Sequence, residues 1–141
     1  MKLTSKGRYA VMALADIAKF DSKNPVSLRD ISLRQGISLV FLEQIFLQLK
    51  KHNLVKSIRG TNGGYILNSD PDKIKLANIF DAINEEVKTV QCKKESKKGC
   101  NGKSSKCITH NLWDELETHI NSFFEKKNLR DLISNSSESN N

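Results

Sequence analysis

A chain of 141 residues with 38% hydrophobic and 28% charged side chains has room for one small domain and an appendage, which excludes a long enzyme architecture. No run approaches the ~18 apolar residues of a membrane span, and Met1 to Ser5 lacks the apolar stretch and cleavage site of a secretory leader, so the cytoplasm is the expected compartment and no membrane is expected as a partner. The net charge of +7 is concentrated: residues 1–67 hold eleven Lys and Arg against four Asp and Glu, residues 68–141 twelve against twelve, so the first half would attract a polyanion, nucleic acid before an anionic membrane surface.

Ala10, Leu14, Ile17 and Ala18 recur on one helical face, predicting a first helix from Ser5 to about Phe20. Pro25 ends the loop after it. A short second helix is predicted from Ser27 or Leu28 to Gln35, closed by Gly36, and a third after the cap Ser38. That third helix has an expected buried stripe of Leu39, Leu42, Phe46 and Leu49, which leaves Val40, Glu43, Gln44, Leu47 and Lys51 on the other face. Two short helices around a Gly-containing turn match the helix-turn-helix pattern, although helical hairpins without a DNA role are common.

Residues 54–58 and 65–67 are strand-like runs around RGTNGG, a turn dense in residues that accept positive φ, so a β-hairpin is predicted with Arg59 at its tip. A hairpin after a helix-turn-helix is a wing, and an arginine there suits a narrow minor groove. Leu76, Ile79, Phe80 and Ile83 predict a fourth helix ending near Glu86, and residues 87–108 lose all apolar periodicity. From the cap Thr109 to about Lys127 a last helix places Trp113, Leu116, Ile120 and Phe123 in one seam, expected to pair with a second copy of itself in a twofold dimer; packing on the chain's own core is the competing reading. The expected fold is mostly α with a small β-hairpin wing: a winged helix-turn-helix over residues 1–87, a ligand-bearing loop and long dimerisation helix over 88–133, and a disordered tail over 134–141. Ser38, Val40, Glu43 and Gln44 are candidates to face base edges, and Ser5, Lys6, Arg8, Lys50 and Lys51 to meet phosphates.

All three cysteines fall between Cys92 and Cys107, and with His110 they form a four-donor set, Cys92, Cys100, Cys107 and His110, in a loop holding six lysines between residues 93 and 106. Clustered thiols in a reducing compartment point to metal or redox chemistry rather than to disulfides. Such a set suits tetrahedral zinc or a two-iron cluster, and the residues alone leave both open. Cys107 and His110 also have the composition of a nucleophile and base, but no orienting carboxylate is apparent, so neither catalysis nor a small-molecule substrate is expected.

The segments LTSKGRYAVMALADIA, DISLRQGISLVFLEQIF, RGTNGGYIL and CITHNLWDEL, in this order, resemble the IscR family of iron-sulfur cluster regulators over nearly the whole chain to about Ser134. The resemblance implies a homodimeric winged-helix transcription regulator, mainly a repressor, that binds operator DNA and controls genes of iron-sulfur cluster assembly. It further implies a 2Fe-2S cluster on Cys92, Cys100, Cys107 and His110, a recognition helix from Leu39 to Lys51 and a wing arginine at Arg59. The related nitric-oxide-sensing NsrR regulators share the wing and three cysteines; CITH favours the first group. Two departures stand out: the intervals between the cysteines are longer than the family's, and Val40 and Leu47 put apolar groups where polar ones are expected.

Overall fold

A computed structural model of the chain describes residues 5–19, 24–84 and 108–139. Helix α1, Ser5–Lys19, buries Ala10, Ala13, Leu14 and Ile17. Helix α2, Leu28–Gln35, begins where the Ser27 hydroxyl accepts the Asp30 amide at 3.1 Å and stops at Gly36, whose φ of 68° is left-handed. Helix α3, Leu39–Lys51, is capped by Ser38 and buries Leu42, Ile45, Phe46 and Leu49; Leu39, expected in that stripe, is only half-buried, and Ile45 fills the place. It ends in a Schellman motif: Asn53 at φ 61° lets the Leu54 amide donate to Leu49 O and the Asn53 amide to Lys50 O, each at 3.0 Å.

Strands β1, Val55–Ile58, and β2, Gly64–Leu67, form the antiparallel wing, with Val55 opposite Leu67 and Ile58 opposite Gly64. A third segment joins it: Val26 and Tyr65 exchange backbone hydrogen bonds at 2.8 and 2.9 Å, bringing the Val26 carbonyl so close to Gly64 that a Cβ there would collide with it. Gly64 therefore serves a close backbone approach, beyond the turn role read from the sequence.

Helix α4, Leu76–Ala82, comes after a 3-10 turn at Pro71–Lys73. It ends four residues before the expected Glu86, because Asn84 takes the left-handed φ of 56° that terminates a helix. Helix α5, His110–Lys126, and helix α6, Leu129–Ser139, complete the chain. The disordered tail expected from residue 134 is corrected here, since residues 134–139 continue α6. Two features nucleate that helix. Leu129 is fully buried in the core, and Asn128 and Asp131 cap each other, each side chain accepting the other's backbone amide at 3.2 and 3.0 Å. The α5–α6 link is further held by Lys75 and Asn128, which bridge as the Leu76 amide donates to Lys127 O and the Leu129 amide to Ile74 O.

Among the described residues, one charged group lies inside this core. Asp16 of α1 is buried and accepts from Arg34 Nε at 3.1 Å, Arg34 Nη2 at 2.7 Å and Gln35 Nε2 at 3.1 Å, which pins α2 to α1. The Asp16 hydrogen bond is also the main cause raising the Arg34 pKa above its ordinary value, so the guanidinium stays charged. Arg34→Met leaves a buried carboxylate with only an amide partner. It is expected to cost about 2–3 kcal/mol in urea unfolding, below the figure for a fully buried pair because the Arg34 side chain is 38% exposed. A loss under ~0.5 kcal/mol would show that the pair is ordinary surface charge.

Candidate nucleic-acid interface and metal centre

The turn between α2 and α3 is closed from inside, the Ser32 hydroxyl donating to the Ile37 carbonyl. Tyr9 of α1 meets Phe41 of α3 edge to face, ring centroids 5.5 Å apart, and Phe46 of α3 lies 4.9 Å from Tyr65 of the wing. Helix α3 is thus gripped by the first helix and by the hairpin, so the orientation of its outer face is set by packing. That face carries Ser38, Val40, Glu43, Gln44, Leu47, Lys50 and Lys51, all exposed. Ser38 spends its oxygen on the helix, accepting the Phe41 amide at 3.5 Å. His52 ends the helix, its Nδ1 3.0 Å from Gln48 O.

Among the predicted phosphate contacts, Ser5 and Arg8 are exposed at the start of α1, and Arg59 is exposed at the wing turn. Lys6 differs. It is half-buried, and its Nζ donates to the Ile83 carbonyl at 2.9 Å, so it ties the first turn of α1 to the end of α4. An ammonium at a helix C-terminus is electrostatically favoured, and no periodicity in the sequence could have assigned Lys6 this partner. Conversely, Lys56 is an exposed cation on β1 that the sequence reading did not single out. The signal was present: it alternates with the buried Val55 in a period-two strand.

Of the four predicted metal ligands, the structure positions His110. Cys92, Cys100 and Cys107 lie outside the described residues, as does the lysine-rich loop. Among the described residues no group of three or more His, Cys, Asp or Glu is gathered to hold a metal. His110 opens α5 and is half-buried. Thr109 is the N-cap residue but not through a side-chain cap: its hydroxyl accepts from Trp113 Nε1 at 3.0 Å, fixing the indole over the first turn. As a chemical inventory, three thiols and one imidazole fit the four terminal positions of a two-iron cluster, as they fit tetrahedral zinc.

No side chain of α5 is buried in the protomer. Of the predicted seam, Leu116 and Phe123 are 39% and 52% exposed, with Trp113 and Ile120 half-buried. Phe124, on the neighbouring face, packs against Phe80 of α4 at 4.7 Å and attaches the helix to the domain. The helix is thereby docked on one side and apolar on the other. Among the described residues no helix is long and apolar enough to cross a membrane.

The sequence matches the Rrf2 family, described as iron-dependent transcriptional regulators, over residues 3–135. The HTH-type transcriptional regulator IscR of Sodalis glossinidius is 47% identical over 135 residues, covering 96% of this chain and 80% of that protein. Among solved structures, IscR of T. potens aligns with a TM-score of 0.77 and 32% identity, covering 99% of this chain and 90% of that one. CymR of B. subtilis, a global cysteine regulator, aligns at 0.79 and 29%, covering 95% and 97%. With the hairpin beside a helix-turn-helix and these relatives together, the chain belongs to the Rrf2 family, and it is a winged-helix, DNA-binding transcription regulator rather than an enzyme.

Proposed function

We propose that this regulator binds operator DNA as a homodimer, with α3 in the major groove and Arg59 at the minor groove. We further propose that Cys92, Cys100, Cys107 and His110 hold a 2Fe-2S cluster through which it responds to iron-sulfur status in the cytoplasm. The observation that carries the reading is one of position: His110, a ligand candidate, is the first residue of the helix whose Leu116 and Phe123 stay exposed in the protomer. Ligand and dimer seam then share one rigid element.

When bound, the cluster supplies an oxidation- and iron-sensitive joint between the four donors. The chain's own residues do the rest. Gathering the donors would fasten residues 88–107 to the first turn of α5. At the other end of that segment, Lys6 holds the Ile83 carbonyl to α1, so a tightened segment pulls between the DNA-binding core and the dimer helix. Seam residues Trp113, Leu116, Ile120 and Phe123 fix the separation of the two α3 helices, and Glu43 and Gln44 present an acceptor and an amide to the base edges. Control of cluster-assembly genes, which the resemblance of the sequence implies, is the physiological setting of this reading.

Protein purified without oxygen is expected to be coloured and to hold iron and sulfide in equal amounts; Cys107→Ser is expected to lose the visible absorption while keeping its helical circular dichroism. Colourless protein containing zinc would replace the cluster by a structural metal. Equal affinity of chelator-treated and untreated protein for every duplex tested would remove the sensing role and leave the DNA binding.

A further inference from the structure

We propose that Val40 reads thymine by packing against its C5-methyl group in the major groove, so that the operator carries a T at one fixed position of each half-site. This rests on the DNA-binding reading above and adds to it a specificity-determining residue.

Val40 is the second helical residue after the Ser38 cap and is 63% exposed. It is not surplus core, for the core side of α3 is already filled by Leu42, Ile45, Phe46 and Leu49. Its neighbours one turn away on the same face are polar, Glu43 and Gln44, and the other exposed apolar residue of that face, Leu47, lies two turns along. An apolar group held out among polar ones is matched by an apolar target, and of the base edges in the major groove only thymine offers one. The N-terminal residues of a recognition helix are those that reach base edges.

Two further features make Val40 a sharp probe. A β-branched side chain in a helix has nearly one χ1 state, so its methyls are held in place. The helix itself is clamped by the Tyr9–Phe41 and Phe46–Tyr65 ring contacts. Leu47, exposed on the same face, lies seven residues and about 10 Å further along. It falls beyond the segment that meets base edges and provides the internal comparison.

The test uses the full chain, isolated without oxygen, to select duplexes from a random pool; each T of the selected site is then replaced by U, which removes only the methyl. One T per half-site is expected whose replacement weakens binding about fourfold, the ~0.8 kcal/mol that burying one methyl-sized group contributes. Both half-sites together should give about fifteenfold. With Val40→Ala the same replacement should cost less than about twofold, whereas Leu47→Ala should retain the fourfold penalty. Tolerance of U at every position, as expected if a protein partner covered this face, overturns the assignment and leaves DNA binding standing. So does an equal penalty in the Val40→Ala protein. Failure to select any duplex overturns both.

Discussion

Raising salt from 50 to 200 mM is expected to weaken operator binding by roughly four powers of ten. Arg8, Lys50, Lys51 and Arg59 are all exposed, at the start of α1, the end of α3 and the wing turn. A homodimer presents each twice, giving about eight phosphate neutralisations and a slope of about −7 in log affinity against log salt. The slope counts ions released from DNA and is nearly blind to base sequence, so it tests the interface independently of any operator. Measured by fluorescence anisotropy on a selected duplex, a slope of about half that value would mean that one protomer docks at a time. A flat response would make the basic first half ordinary solvated surface. Lys6 is left out of the count because its ammonium is engaged by the Ile83 carbonyl; if it exchanged onto a phosphate, the slope would steepen by about one per protomer.

The features legible in the sequence were local. Gly36 and Ser38 announce the turn before α3, and both behave as their residue types require, one in a left-handed conformation and the other accepting a helix amide. The hairpin is written in its glycines and β-branched runs. The features that fix where α3 points are not local: Asp16 on Arg34, Tyr9 on Phe41 and the Val26 backbone against Gly64 join residues 18, 32 and 38 positions apart, and no periodicity encodes such pairs. Helix α6 is a different case. Its last residues are rich in Ser and Asn and read as a tail, yet the Asn128–Asp131 reciprocal cap was there as an N-x-x-D signature. Burial of Leu129 outweighs the poor helix propensity of those Ser and Asn residues. At the candidate site, His110 was placed correctly at a helix start, while the cysteine ligands lie outside the described residues.

Leu116→Glu is expected to raise the dimer dissociation constant by roughly 10² to 10⁴, and to do so without unfolding the protomer. Helix α5 spans 17 residues, about 25 Å; Phe124 docks it on Phe80 of its own chain, while Leu116 and Phe123 stay 39% and 52% exposed, and a second copy of the seam is the proposed cover. In a twofold pairing each substitution acts twice. Losing a buried leucine from both copies removes about 3–6 kcal/mol, before the added repulsion of two carboxylates brought face to face; at about 1.4 kcal/mol per decade this gives the stated range. The protomer tolerates the change because Leu116 is 39% exposed, while Phe124 on Phe80 and Leu129 in the core still attach α5 and α6 to the domain. Sedimentation velocity and thermal melting together decide the matter. A monomeric parent protein would remove the dimer, and a variant that melts much earlier while keeping its sedimentation would mean that the seam packs within the protomer. If the variant is a folded monomer, its salt slope on the same duplex should fall to about half. That result would join the two ends of the molecule: the seam on α5 would then be what makes two basic faces act as one.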